Sequence, residues 1–152
     1  MMMTALASPA PAAQPGIETA AAVAAADPVL IFEEGLLGFP DCRRFTLLPT
    51  ERDGLFWLQS LDHESLVFLV ADPFRFVPDY VVDLEPAALR GLEPVLPTDI
   101  AVLAIVTLAR QPGEPCTVNL QGPIAINLRT QRARQIVLPD PEYGLRHPLD
   151  LA

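Results

Sequence analysis

The sequence predicts an all-β domain: a small antiparallel β-barrel, closed or nearly closed, with one short helix. From Asp27 onward, fourteen prolines interrupt the chain about every nine residues, which leaves segments of strand length. These segments are rich in branched and aromatic residues and are bounded by turn formers. No strand candidate is followed by a ten-residue helical period, so the strands should pair through hairpins and longer crossovers.

Eight segments are strand candidates, and each is an apolar or alternating run between turn residues. In chain order they are residues 29–32, 44–48, 55–61, 66–71, 100–108, 116–120, 124–127 and 134–138. One segment has helical character, because Asp83 can cap it, Pro86 falls in its first turn and Gly91 ends it. Asn119 and Gln121 are expected to hold a turn through side-chain bonds to the backbone.

The first 26 residues differ in composition from the rest of the chain. They hold eleven alanines and three prolines, and their first charged residue is Glu18. Such a stretch has no apolar pattern with which to pack, so residues 1–26 are predicted to be a disordered extension. Residues 27–152 are predicted to form the barrel domain. Export is not expected, because no positive charge precedes the small-residue run at 19–26.

Composition and charge exclude several classes of protein. A chain of 152 residues with 51% hydrophobic and 19% charged residues can build one core. Its longest apolar run, residues 100–106, is far shorter than the roughly 20 residues of a membrane span, so no membrane association is predicted. The net charge of -9 opposes direct binding to nucleic acid. Residues 1–100 carry a net charge of -10, which either steers a basic partner or keeps the protein soluble.

The residue types that commonly perform catalysis or bind metals form no recognisable motif in this sequence. His63 lies in a polar turn and His147 lies six residues from the end, so neither is a convincing base. Cys42 and Cys116 have no paired spacing and are predicted to be reduced, buried thiols. The acidic residues form no calcium loop, and the glycines form no phosphate loop. No enzymatic activity, metal or cofactor is therefore predicted.

Aromatic residues beside acids and prolines mark a candidate binding segment directly after an apolar strand. Strand alternation would place Phe74 and Phe76 on one face, where the rings either close the barrel or anchor a partner. The predicted partner contacts are Asp72, Phe74, Phe76, Asp79, Tyr80 and Asp83, all expected to be exposed. Trp57 is assigned to the core, because it lies in a strand and its large ring is best stabilised when buried.

A basic cluster, Arg129, Arg132 and Arg134, provides a rival hypothesis from another class, direct RNA binding by a barrel. The spacing of these arginines also suits the exposed tip of a hairpin between the strand candidates on either side. The acidic net charge favours the hairpin interpretation.

Six stretches of the chain resemble the FliW family of flagellar assembly factors. They are GLLGFP at 35–40, FWLQS at 56–60, DPF at 72–74 with PDY at 78–80, AVLAIVT at 101–107, NLQGPIAIN at 119–127, and Tyr143 with RHPL at 146–149. Each stretch alone is weak evidence, but six in the family's order and at compatible spacing are specific. The resemblance implies a small β-barrel that acts in the cytoplasm as a binding protein.

The resemblance also implies the partners. Proteins of this family bind the translational repressor CsrA, which relieves repression of flagellin messenger RNA, and they bind flagellin itself. We therefore expect a non-enzymatic regulatory binding protein with CsrA and flagellin as partners and no direct contact with nucleic acid. A monomer is expected. A dedicated flagellin chaperone without a repressor partner is the alternative.

Overall fold

The computed structural model describes residues 24–25, 28–82, 84–94, 96–139 and 144–149 of the chain. The nine strands are β1 (Leu30–Phe32), β2 (Arg44–Pro49), β3 (Leu55–Ser60), β4 (Val67–Ala71), β5 (Ile100–Thr107), β6 (Cys116–Val118), β7 (Ile124–Asn127), β8 (Arg132–Gln135) and β9 (His147–Leu149). A four-residue helix, α1 (Pro73–Phe76), follows β4, and a 3-10 turn (Pro97–Asp99) precedes β5. The predicted all-β class with one short helix is confirmed.

Seven strands close the barrel in the order β1, β2, β3, β4, β5, β7 and β8, after which β8 pairs with β1. The described pairings are antiparallel except that of β1 with β8, where Ile31 lies opposite Arg132. Seven is an odd number, so strand direction cannot alternate around the whole ring and one neighbouring pair must be parallel. The predicted antiparallel barrel needs this one correction.

The barrel interior is filled from alternate positions along each strand, because successive side chains point to opposite faces. In β3, Phe56 and Leu58 point inward, and they are 4% and 0% exposed. The inner core, defined as this buried cluster, consists of Ala24, Leu30, Phe32, Leu36, Cys42, Phe45, Leu47, Phe56, Leu58, Val70, Leu103, Ile124, Ile126 and Ala133. Ala24 belongs to it although it lies within the stretch predicted to be an extension.

A second cluster, the outer core, lies on the outside of the barrel. There the outward side chains of β4, β5 and β7 are buried by a cover layer, which consists of residues 73–82 and 84–92, strands β6 and β9, and residues 136–138. The outer core consists of Leu55, Leu69, Ala71, Tyr80, Val82, Leu92, Ile100, Val102, Ala104, Val106, Val118, Leu120, Ala125, Ile136, Leu138 and Leu149. This part of the barrel is therefore apolar on both faces.

The strand predictions agree with the structure except near the C-terminus. The last predicted strand, 134–138, is shifted, because β8 covers Arg132–Gln135. Ile136 and Leu138 lie beyond it but keep the same register, and they donate to the carbonyls of Pro123 and Gln121, which precede β7. Strand β9 was not predicted, since three residues with a central proline carry no strand pattern.

The helix lies at a different place from the one predicted. Residues 84–92, in the segment predicted to be helical, form hydrogen-bonded turns, and Asp83 lies outside the described residues. The α-helix is instead α1, where Asp72 is the N-cap and Pro73 follows it directly. An acidic cap with proline at the next position is the stronger of the two helix-start signals.

The predicted turn at Asn119 is confirmed. The side-chain carbonyl of Asn119 accepts from the backbone N–H groups of Gln121 at 3.1 Å and Gly122 at 2.8 Å. The Gln121 amide donates to the Leu138 carbonyl at 3.3 Å, which ties this turn to the cover layer. Cys42 is buried and Cys116 is half-buried, and both thiols are free, as predicted.

Candidate partner-binding surface

Asp72, the first predicted contact residue, caps helix α1 from within the fold. Its side chain accepts from the Phe74 N–H at 3.0 Å, and its backbone N–H donates to the Gly54 carbonyl at 2.8 Å. Asp72 is only 3% exposed, and burial raises the pKa of its carboxyl against the opposing effect of hydrogen bonds from backbone N–H groups. The prediction that Asp72 is exposed is wrong, because capping a buried helix start uses the carboxylate internally.

Tyr80 is also buried, contrary to prediction. It is fully inaccessible to solvent, and its hydroxyl donates to the Leu120 carbonyl at 2.6 Å. The Phe74 ring packs against the Tyr80 ring with 5.7 Å between the two centroids. Tyr80 therefore fastens the segment after α1 onto the loop that follows β6. The acceptor lies forty residues further along the chain, so sequence pattern alone does not identify it.

Phe74 and Phe76 are half-buried against the outer core and do not share one face of a strand. Helix α1 separates them: Phe74 contacts Tyr80, and Phe76 lies under the guanidinium of Arg52, 5.6 Å from its centroid. Helix α1 also packs closely against Gly54. A Cβ built on Gly54 would lie 2.5 Å from the Arg75 side chain, and the φ of Gly54 is +86°, so only glycine fits there without strain.

Of the six predicted contacts, Asp79 is the one that is exposed among the described residues. Phe74 and Phe76 offer part of each ring, Asp72 and Tyr80 offer nothing, and Asp83 lies outside the described residues. A role for these residues in partner binding stays a prediction.

Trp57 lies on the outside of the barrel, so its assignment to the core is wrong. It is 40% exposed on the outside of β3, where Leu48 of β2 and Leu69 of β4 lie opposite it. A signal was available, because the apolar neighbours Phe56 and Leu58 occupy the two adjacent inward positions. Strict alternation then places Trp57 outside the barrel.

A groove with a volume of about 650 Å³ runs beside Trp57. The residues that line this Trp57 groove are Pro49, Thr50, Glu51, Arg52, Leu55, Trp57, Leu69 and Leu108. Five of the eight are apolar, while Glu51 and Arg52 provide a polar end. Arg52 also lies over the ring of Phe76, so the polar end of the groove is next to α1.

Arg129 lies in the exposed turn between β7 and β8, as the hairpin interpretation predicted, whereas Arg132 and Arg134 lie within β8 and Arg134 is half-buried. Arg132 pairs with Glu33, and Arg134 lies 3.9 Å from a carboxylate oxygen of Glu34. Arg134 also donates to the Arg90 carbonyl at 3.0 Å. Two of the three guanidinium groups therefore face carboxylates of the same chain, which opposes their use as phosphate contacts.

Asp62 lies in the turn between β3 and β4, and its carboxylate fixes the start of β2. It accepts from the backbone N–H groups of Arg43 and Arg44 at 2.9 Å each and from the Arg44 side chain at 2.9 Å. These hydrogen bonds hold the pKa of Asp62 below its ordinary value, with the two backbone donors contributing most. Asp62 thus has a structural role in this turn, beside the exposed His63.

The side chains that commonly bind metals are dispersed over the described part of the chain. There, no three His, Cys, Asp or Glu side chains converge in a way that could hold a metal ion. Every helical segment that the structure describes falls short of the length and apolarity that a bilayer crossing requires.

Comparison with known proteins places the chain in a family. The model of the FliW protein family matches residues 18–149. The flagellar assembly factor FliW of Treponema denticola is 40% identical over 116 residues, which cover 76% of this chain and 78% of the relative. The Bacillus subtilis protein of the same name is 37% identical over 122 residues, which cover 80% and 85% of the two chains.

The fold comparison agrees with the sequence comparison. A crystal structure of the flagellar assembly factor FliW matches this chain with a TM-score of 0.73 and 33% identity, covering 79% of this chain and 84% of that one. Family model, relatives and solved structure therefore all point to the same family. The chain belongs to the FliW family of flagellar assembly factors.

Proposed function

We propose that the protein is a non-enzymatic regulatory factor that binds and antagonises the translational repressor CsrA and also binds flagellin. In this role it relieves repression of flagellin messenger RNA, acts in the cytoplasm and works as a monomer. The observation that carries the proposal is the family match over residues 18–149, together with relatives named flagellar assembly factor that align over three quarters or more of this chain.

Competition between two ligands for one protein accounts for the regulation. If flagellin and CsrA bind at overlapping or antagonistic sites, flagellin that accumulates occupies the protein and releases CsrA to repress translation. Export of flagellin frees the protein to capture CsrA again. This mechanism needs comparable affinities weighted by concentration and no catalytic step.

The charge distribution supports a basic partner. Residues 1–100 carry a net charge of -10, and an RNA-binding repressor must carry cationic surface to neutralise phosphates. Opposite charges accelerate the encounter of two proteins, and salt weakens that acceleration. The Arg132–Glu33 and Arg134–Glu34 pairs argue against the rival hypothesis that the barrel itself binds RNA.

Calorimetric titration of purified CsrA into the protein, at low and physiological salt, tests the proposal. We expect binding that is weaker at higher salt and that is abolished when the protein is first saturated with flagellin. If CsrA gives no heat at several temperatures and no band in a pull-down, repressor antagonism fails. Flagellin binding in that same experiment would then favour the dedicated chaperone.

A gel-shift assay with flagellin leader RNA, in the absence of CsrA, provides the control for direct RNA binding. We expect no retardation at physiological salt. Retardation that is lost in the Arg132→Ala and Arg134→Ala variants would instead support the RNA-binding barrel.

A further inference from the structure

The Trp57 groove lies on a barrel face at the edge of the cover layer, because Leu55 and Leu69 in its lining belong to the outer core while Trp57 is exposed. On this face Trp57 is 40% and Val67 is 44% exposed, and the Leu48–Trp57–Leu69 row crosses three strands. Single exposed apolar residues are ordinary, but a contiguous apolar strip beside a groove is typical of a binding surface. The groove volume of about 650 Å³ is large enough to take several side chains of a partner.

The polar end of the groove carries both signs of charge. Arg52 lies over the Phe76 ring and keeps its positive charge, and Arg75 lies 3.7 Å from Asp53. Among the residues that the structure describes, Glu51 lines the groove and is not held in an ion pair. Its carboxylate can therefore pair with a cationic side chain of a partner, and the net charge of -9 of the whole chain favours a basic partner.

We infer that the Trp57 groove is the docking site for the basic partner, the CsrA repressor, through an apolar segment that carries a cationic side chain at the Glu51 end. The inference rests on the proposed function. An exposed tryptophan beside an apolar groove can bury a large area and can also accept a cation on its ring face. A second copy of this chain is the weaker candidate, because a two-fold contact would bring two acidic chains and two Glu51 carboxylates together.

Trp57 is the single tryptophan of the chain, so it can report directly on occupancy of the groove. Protein produced with 5-fluorotryptophan has one ¹⁹F resonance, and unlabelled CsrA contributes none. We expect that resonance to move or broaden as CsrA is added, and to return when flagellin displaces CsrA. Dilution of the labelled protein alone checks for a second copy, which would move the resonance without any partner.

Pairs of variants, one in the groove and one elsewhere on the surface, test whether CsrA binding depends on the groove. We expect Trp57→Ala to raise the Kd for CsrA by about tenfold or more, as for a central aromatic interface residue. Leu37→Ala is its control, because Leu37 is 62% exposed and does not line the groove. Glu51→Gln should slow association about two- to threefold at low salt and less at high salt. The exposed Glu85, away from the groove, provides the matched control Glu85→Gln.

The results of these experiments separate failure of the docking-site inference from failure of the proposed function. If CsrA binds, yet the ¹⁹F resonance stays unchanged and Trp57→Ala binds normally, the groove inference is wrong and the proposed function stands. A resonance that flagellin moves but CsrA does not would make the groove a flagellin site and overturn the inference. If CsrA does not bind at all, the proposed repressor antagonism and the inference both fail.

Discussion

Two outer faces of the same barrel have different environments. On β5, the outward residues Val102 and Ala104 are at most 3% exposed, because the cover layer packs against them. On β3 and at the start of β4, the outward residues Trp57 and Val67 are 40% and 44% exposed, whereas Leu69 and Ala71 further along β4 are buried in the outer core. Both faces carry apolar side chains at outward positions, so composition does not distinguish them. The difference arises from distant segments that cover one face and leave the other free, so the first face serves stability and the second is available for binding.

The strongest test of this comparison is removal of the residue that fastens the cover layer. Tyr80→Ala deletes a fully buried ring and its hydrogen bond to Leu120, and we expect the free energy of unfolding to fall by about 3–5 kcal/mol. Tyr80→Phe keeps the ring and loses the hydroxyl, so its expected cost is about 1–3 kcal/mol. Urea denaturation measures both. Equal stability of Tyr80→Ala and the unmodified protein would show that the cover layer contributes little.

A second attachment of the cover layer is the buried amide of Asn127. It donates to the Leu92 carbonyl at 2.6 Å, while its oxygen accepts from the backbone N–H of Arg129 at 2.9 Å. Asn127→Ala leaves these buried groups without partners, and we expect a loss of about 1–3 kcal/mol by urea denaturation.

Thr130→Ala, in the same turn but exposed, is the control for Asn127→Ala and should change stability by less than about 0.5 kcal/mol. A similar loss for both variants would mean that the hairpin turn, and not the attachment to Leu92, determines the effect.

The open face should respond much less to truncation. Trp57→Ala removes a partly exposed ring and its cross-strand contacts with Leu48 and Leu69, and we expect a loss of about 1 kcal/mol in thermal or urea denaturation. A buried tryptophan would cost about 3–5 kcal/mol. A loss of that size would place Trp57 in the core and remove the distinction between the faces.

The pH dependence of stability should have opposite signs at two carboxylates. The folded-state pKa of Asp62 is lowered, so its contribution is present above the ordinary value of 3.8 and is lost as pH falls below it. The folded-state pKa of Asp72 is raised, so its contribution is present below 3.8 and is lost as pH rises above it.

Denaturation of Asp62→Asn and Asp72→Asn between about pH 3 and pH 6 measures these two small effects against the unmodified protein. We expect Asp62→Asn to flatten the loss of stability on the acid side, and Asp72→Asn to flatten a decline toward higher pH. Identical slopes for the two variants would contradict the assigned environments.

Local patterns predicted most of the barrel, because strand alternation and proline spacing are visible in short windows. They did not predict β9, which exists through its pairing with β6 and has a proline at its centre. Helix α1 was misplaced although the Asp72-Pro73 pair carries a start signal, because Phe74 and Phe76 also fit a strand. The burial of Tyr80 depends on a carbonyl forty residues away, and the exposure of Trp57 depends on where the cover layer ends. The candidate site was therefore less predictable than the fold.

The parallel junction of β1 with β8 determines when the ring can form during synthesis. Ile31 and Arg132 are about 100 residues apart, so the last barrel strand leaves the ribosome long after the first. At a bacterial elongation rate on the order of 20 residues per second, β1 waits about five seconds for its partner. Until then the nascent chain has two unpaired strand edges, which are sites for wrong pairing. A chain that stops before β8 cannot close, so the barrel becomes complete only when synthesis is nearly finished.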